Sequence, residues 1–299
     1  MSVFASVTTK HSYNVTMPEL PEMQALSERL TASLAGRTLG EARLLGFSSL
    51  KTVSPEGADL IGHTLLSVTR RAKYLIFTFD HGLRIVLHLS QAGRIDIEEP
   101  PKSTRPRGAV ARFTFDGDPW SRAILIREFG TQRKAAWWIL DADDEGPLKG
   151  LGPEPHTPEF SHLIRTSTSK RRLHSDLRDQ HVMAGIGRGW GDDILHRAQL
   201  SPFATLGSLS AIERERLIDA VDQVLDQALA AERTRTGGLS ESSLSGRCAV
   251  HGRFGQPCPL PCGDTLARVS FESYEMTYCP RCQTKGKVLA DRRMSRLLK

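Results

Sequence analysis

The chain has 299 residues and a net charge of +6, a length that suits two domains with room for a small metal-stapled module. Its 39% hydrophobic content is ordinary for a soluble globular protein, and no run of about 18 apolar residues exists to span or enter a membrane. The basic balance favours an acidic partner, a weak signal when it stands alone.

Residues 1–16 have no charged start followed by an apolar core, so they make a poor secretion signal and read as a mis-set start or a disordered leader. Met17-Pro18-Glu19-Leu20 follows, and it resembles a chain start. If translation begins at Met17 and that residue is removed, Pro18 presents a secondary amine beside a carboxylate. A free α-amine has a pKa near ~8, so a useful fraction is neutral and nucleophilic at physiological pH. Attack of that amine on a sugar C1′ gives an iminium, an electron sink that needs no added proton. A peptide-bonded proline has no such lone pair.

Residues 21–35 read as a helix, with Pro21 in its first turn, Gly36 at its end, and Met23, Leu26, Leu30 and Leu34 on one face. From about 38 to 139 the pattern changes to short strands. Tyr74–Phe79 and Leu83–Leu89 flank the turn Asp80-His81-Gly82, and Ala109–Phe115 and Ala123–Arg127 follow. One helix followed by many strands predicts a β-sandwich over 17–139. The Gly-, Pro- and Asp-rich stretch 140–158 is the expected linker. A helical domain is expected over 159–245. Its clearest helix spans about 211–232, capped by Ser210 and Glu213, with an apolar stripe that includes Ile212, Leu217, Val221, Val224, Leu225 and Leu229. Residues 233–247 are polar and Gly/Ser-rich, a cysteine module occupies 246–283, and a basic tail runs from 284 to 299. The fold class is therefore α+β and multidomain.

All five cysteines lie in the last fifth of the chain, which argues for metal in a reducing compartment rather than a disulfide framework. Cys258-x3-Cys262 and Cys279-x2-Cys282 bracket sixteen residues, enough for a β-hairpin, and four thiolates complete a tetrahedral Zn²⁺ shell. Cys248-x2-His251 is an alternative to one of the pairs. Three other segments are ambiguous on their own. Lys73 before a strand reads as a solvated lysine. Gly185-Ile-Gly-Arg-Gly-Trp190 is either a helix–helix turn or a nest of N–H groups for a phosphate. In Arg127-Glu-Phe129-Gly the aromatic reads as a core phenylalanine.

Taken in order, Met17-Pro-Glu-Leu-Pro-Glu22, Gly152-Pro-Glu-Pro155 and Gly252-Arg-Phe-Gly-Gln-Pro-Cys258 through Cys279-Pro-Arg-Cys-Gln283 resemble the formamidopyrimidine-DNA glycosylase / endonuclease VIII family over about 17–283. The resemblance implies a β-sandwich joined to a helix–two-turn–helix domain and a zinc finger, with damaged double-stranded DNA in the cleft between them. It implies that Pro18 is the nucleophile, Glu19 the acid that assists sugar-ring opening with Glu22 in support, and Lys73 a ligand of the damaged nucleotide's phosphates. Flipping a base leaves a hole in the stack. The implied fillers are Arg127, Phe129 and Gln91, the last standing where oxidised-purine enzymes usually carry methionine.

The sequence also departs from the family. Arg188, beside Gly187, replaces a phosphate-binding asparagine. Tyr274 takes the place of the zinc-hairpin arginine, the first cysteine pair has one extra residue, and the lesion-capping segment within 233–247 is short. The short capping segment and Gln91 point towards oxidised pyrimidines, abasic sites or an unusual bulky lesion. The expectation is a monomeric bifunctional DNA glycosylase and abasic-site lyase of the bacterial cytoplasm and nucleoid, carrying one structural Zn²⁺ and having no membrane partner. Its rivals are a catalytically impaired damaged-DNA binder of the same fold and a basic zinc-ribbon regulator.

Overall fold

A computed structural model describes residues 17–129, 133–235, 247–270 and 275–289. The expectations placed on the leader 1–16, on Tyr274, on positions 236–246 of the capping segment and on the tail beyond 289 lie outside the described residues.

Helix α1 (Leu20–Leu34) starts where the Glu19 N–H donates to Glu22 Oε2 at 2.9 Å, with Pro21 in the first turn. Ala35 caps its far end, and Gly36, at φ +81°, turns the chain away. The helix belongs to two cores. Met23, Leu26, Leu30 and Leu34 enter the sandwich core, whereas Leu20 sits in the helical domain's core and donates its N–H to Gly185 O at 3.0 Å.

The sandwich has two four-stranded antiparallel sheets. One orders β1 (Thr38–Leu44), β6 (Ala109–Asp116), β7 (Arg122–Glu128) and β5 (Gly93–Glu98). The other orders β2 (Leu65–Arg71), β3 (Tyr74–Phe79), β4 (Arg84–His88) and β8 (Ala136–Leu140). Alternation along β3 sends Leu75, Phe77 and Phe79 into the core between the sheets, where Phe113 and Trp137 pack edge-on, 5.0 Å between ring centroids. Ile76 points to the opposite face, where Val86, Leu140 and the linker's Leu148 cover it.

The helical domain comprises α2 (Pro158–Thr166), α3 (Leu173–Arg178), α4 (Arg188–Arg197) and α5 (Ala211–Thr234). The Ser210 and Glu213 capping box forms at the start of α5, and Leu217, Val221 and Leu225 are buried. Ile212 does not join that stripe. It is 78% exposed: at this end of α5 the contact with the end of α2 is made by Arg214, which donates to Ser167 O at 2.9 Å. The chain finishes with a hairpin of β9 (Ala267–Ser270) and β10 (Glu275–Tyr278), followed by α6 (Pro280–Thr284). Among the described residues, no helix is long and apolar enough to cross a membrane.

Candidate active site and nucleic-acid interface

Strand register gathers the singled-out residues of the sandwich at one end. Tyr74 pairs with His88, so Lys73 and the loop Leu89–Ala92 leave their strands side by side. Gly93 pairs with Glu128, so Phe129 leaves β7 beside the same loop and donates its N–H to Ala92 O at 3.2 Å. The N-terminus of α1 reaches the site through its contact with Gly185.

The buried carboxylate of Glu19 occupies the N-terminus of α4. Gly187 N–H donates to its Oε2 at 2.6 Å and Gly189 N–H to its Oε1 at 2.9 Å, with Trp190 N–H at 3.4 Å. An anion gains from both the free N–H groups and the helix dipole there. The glycine-rich turn is therefore a nest, and the group it cradles is this chain's own carboxylate. Gly187 is needed for space: a Cβ on it would lie 2.3 Å from Glu19 and 2.7 Å from Lys73 Nζ. Glu22 lies behind Glu19 and accepts from Trp190 Nε1 at 3.1 Å. Burial, followed by the charge of Glu19, pushes the Glu22 carboxyl up to about 8, so it carries a proton at neutral pH. Pro18, buried beside Glu19, completes this corner.

Lys73 is not a solvated lysine, being only 8% exposed. Burial drives its pKa down against the pull of Glu19 and Glu22, and Arg188 adds to the lowering. It occupies the turn between β2 and β3, next to Ala72, whose φ of +52° is costly for a residue with a Cβ. The linker's Glu154 holds that turn. Its carboxylate binds Arg70 Nη1 at 2.8 Å, Arg71 Nη1 at 2.7 Å and the Ala72 N–H. Arg71 also donates to Gly152 O at 2.6 Å. The same linker segment reaches the nest, since Ala184 N–H donates to Pro153 O at 3.0 Å, and Gln180 ties Gly152, Gly185 and Ile186 together. His88, packed on Tyr74 with centroids 4.9 Å apart, is pushed down to about 4 by burial and then by Lys73, and is neutral.

The remaining expected residues form an exposed rim. Phe129 is 56% exposed, which removes the core-phenylalanine reading. Arg127 stacks on its ring, Cζ 4.8 Å from the centroid, while its Nε donates to Asp96 Oδ2 at 2.6 Å. Gln91 is exposed in a tight loop whose Ser90 has φ +59°. The loop has no room for a side chain at Gly93, where a Cβ would lie 1.9 Å from Leu89 O. Glu154, Arg70, Arg71, His88, Trp190 and Gln180 received no role from the sequence. Glu154 and Trp190 had a visible signal, in the Gly152-Pro-Glu-Pro155 and Gly185–Trp190 motifs.

Cys258, Cys262, Cys279 and Cys282 form a group whose sulfurs all lie within 4.8 Å of one another, with Cys258–Cys282 at 3.9 Å and Cys262–Cys279 at 3.6 Å. A tetrahedral Zn²⁺ with bonds of ~2.3 Å requires sulfurs about 3.8 Å apart, so the four residues fit the ion. The Cys248/His251 alternative fails. Cys248 is buried in the helical core, and His251 Nδ1 lies 2.7 Å from Asp192 Oδ2. That contact belongs to a joint with α4, in which Asp193 accepts the Val250 and His251 N–H groups at 3.0 and 3.1 Å and Asp192 accepts the Thr277 N–H at 3.0 Å.

The N-terminal domain model of formamidopyrimidine-DNA glycosylase matches residues 17–132, and the helix–two-turn–helix domain model of the same enzyme matches 151–239. The formamidopyrimidine-DNA glycosylase of Geobacillus kaustophilus is 32% identical over 278 residues, covering 89% of this chain and all of that one. The chain belongs to the formamidopyrimidine-DNA glycosylase family. The Thermus thermophilus enzyme of that name is 33% identical over 90% of this chain and its own full length. An uncharacterised glycosylase-like protein of Mycobacterium tuberculosis is 42% identical over half of this chain and 96% of its own length. Among solved structures, wild-type Lactococcus lactis formamidopyrimidine-DNA glycosylase bound to DNA containing N7-benzyl-Fapy-dG superposes with a TM-score of 0.79 at 22% identity, covering 89% of this chain and all of that one. That likeness shows a shared fold over the covered part of the chain.

Proposed function

We propose that this chain is a bifunctional DNA glycosylase and abasic-site lyase acting on damaged double-stranded DNA, with Pro18 as the nucleophile once Met17 and the residues before it are absent. The observation that carries this reading is the arrangement around Glu19: a buried carboxylate fixed by three backbone N–H groups, next to Pro18, with Lys73 crowding the same glycine. Support comes from the family and from domain matches that begin at Met17. The DNA in the solved relatives' crystals supports a duplex as the partner.

In the proposed reaction, the Pro18 nitrogen bonds to C1′ as the base departs with the electrons of the glycosidic bond. The proton that the Pro18 nitrogen sheds on forming that bond passes to the Glu19 carboxylate, which delivers it to the ring oxygen as the C1′–O4′ bond breaks. The resulting iminium draws electrons from C2′, and successive eliminations break the strand on the 3′ and then the 5′ side. Glu22, protonated at neutral pH, stands behind Glu19 without adding a second charge. Lys73, and Arg188 at the start of α4, bind the phosphates beside the extruded nucleotide, with the Gly187 turn behind them. Arg127, Phe129 and Gln91 fill the vacated stack. Cys258, Cys262, Cys279 and Cys282 would hold a Zn²⁺ that staples the terminal hairpin, which faces the duplex. One chain supplies the whole site, consistent with a monomer working on chromosomal DNA in the bacterial cytoplasm.

The test is borohydride trapping on abasic-site duplex DNA. Protein beginning at Pro18 should be captured covalently through that residue. Protein retaining residues 1–17 should not be, because an amide nitrogen has no free lone pair. If the protein isolated from its host keeps those residues and binds abasic DNA without cleaving it, the damaged-DNA binder is the correct reading. Trapping at Lys73 instead would overturn the Pro18 mechanism.

A further inference from the structure

The far end of the sandwich carries a second group of metal-ligating side chains. His63, Asp80 and His81 each place a donor atom within 4.8 Å of the others. The pairing of Leu65 with Phe79 builds this group: it sets the residues before β2 opposite those after β3, and Asp80 N–H donates to Thr64 O at 2.9 Å. His63 Nδ1 lies 2.6 Å from Asp80 Oδ1. The ring of His81 meets that of His63 edge-on, with centroids 5.3 Å apart.

His81 has φ +60° and ψ +10°, the left-handed region that histidine, like asparagine and aspartate, enters more often than most residues. The turn also lies against an acidic stretch. A Cβ on Gly82 would lie 3.0 Å from Ala142 Cβ, and Arg84 Nη2 holds the carbonyls of Asp141 and Asp144 at 3.0 and 2.7 Å. The acidic stretch 141–145 thus runs its backbone beside the turn.

We propose that His63, Asp80 and His81 form a second metal site, separate from the four cysteines, that binds a borderline divalent ion such as Zn²⁺ or Ni²⁺. Two imidazoles and one carboxylate suit such ions better than Ca²⁺ or Mg²⁺, which favour all-oxygen shells. The side chains of His63 and Asp80 are 27% and 35% exposed, which leaves coordination positions open to water. Asp80 follows Lys73 by seven residues along β3, roughly 20 Å at ~3.3 Å per residue, so an ion here lies outside the catalytic end.

The experiment uses tag-free, full-length protein with zinc on its cysteines, titrated with NiCl₂ by calorimetry, with both metals measured on the same dialysed sample. One Ni²⁺ per chain should bind while the zinc content stays constant. His81→Asn keeps a residue at ease in the left-handed backbone but removes the imidazole. His63→Gln keeps a hydrogen bond to Asp80 but removes a ring. Each should weaken Ni²⁺ by at least about tenfold, with zinc content and circular dichroism unchanged. Absence of Ni²⁺ binding at large excess would show a plain aspartate–histidine pair. Undiminished binding in the double variant would place the ion elsewhere. Either result overturns the proposal.

Discussion

Arg70 and Glu154 stand 84 residues apart in the chain and meet as a largely buried ion pair, Nη1 to Oε2 at 2.8 Å. Burial alone would raise the Glu154 carboxyl, but Arg70, the Ala72 N–H and Arg71 outweigh it and hold the carboxyl below the usual range. Through Ala72 the pair fixes the turn that presents Lys73.

Glu154→Gln keeps the shape but loses the charge that two arginines need. We expect the variant to fold and to retain zinc, with about 1–3 kcal/mol less stability, since a charged partner is left uncompensated. Steady-state kinetics on abasic-site duplex should show a higher KM, because Lys73 is no longer held in place. An unchanged KM would show that the linker contact only joins domains.

Glu22 gives the protein a signed pH dependence. Its carboxyl is raised from 4.5 to about 8 in the folded state, so between those values the native protein binds more protons than the unfolded chain. Its contribution therefore falls as pH rises from about 4.5 to about 8 and is fully present only below that window. Urea unfolding of wild type and Glu22→Gln across pH 5–8 should show a flatter stability profile in the variant, which can still accept from Trp190 but has no proton to lose. Parallel profiles would rule out Glu22 as the source of the slope.

Glu19→Gln tests the nest. A glutamine offers one acceptor oxygen where Gly187 and Gly189 use two, so one N–H loses its partner and some stability is lost, while the fold and duplex affinity should persist and base excision should drop by at least ~100-fold, within the range for a lost acid catalyst. Gel-shift affinity and single-turnover excision, measured on one preparation, separate the two effects. Loss of affinity in step with excision would assign Glu19 a structural role alone.

Phe129→Ala should slow excision from duplex DNA more than from single strands, because an exposed wedge matters only where a stack must be refilled. Its 56% exposure means that little folding stability is lost with it. Equal effects on both substrates would argue against insertion.

Cys279→Ser should remove the bound zinc, and the terminal hairpin should lose hydrogen-exchange protection before the sandwich does. Full zinc occupancy in this variant would show that the ligand set is wrong.

Much of this architecture was legible in the sequence because periodicity and capping are local. The helix after Pro18, the strand Tyr74–Phe79 and the Ser210/Glu213 cap follow from residues a few positions apart. The cysteine spacing likewise encodes a closed loop. What the sequence hid depends on packing between distant segments. Lys73 looks solvated until Glu154 and Gly187 close around it, and no spacing rule reveals that the α4 nest is filled by a carboxylate 168 residues upstream. Ile212 erred in the opposite direction, since its helical phase fits the stripe but the side chain is exposed where Arg214 makes the contact with the end of α2.

The joint at Asp192 and Asp193 has a consequence for how this chain can be recombined. Those carboxylates receive backbone N–H groups from the segment leading into the cysteine module and from β10, while four residues earlier the same helix offers Gly189 to Glu19. The terminal hairpin is therefore not a cassette. Transplanting it onto a relative requires the matching face of α4 to travel with it, and exchanging α4 alone disturbs the hairpin at one end of that helix and the Glu19 carboxylate at the other.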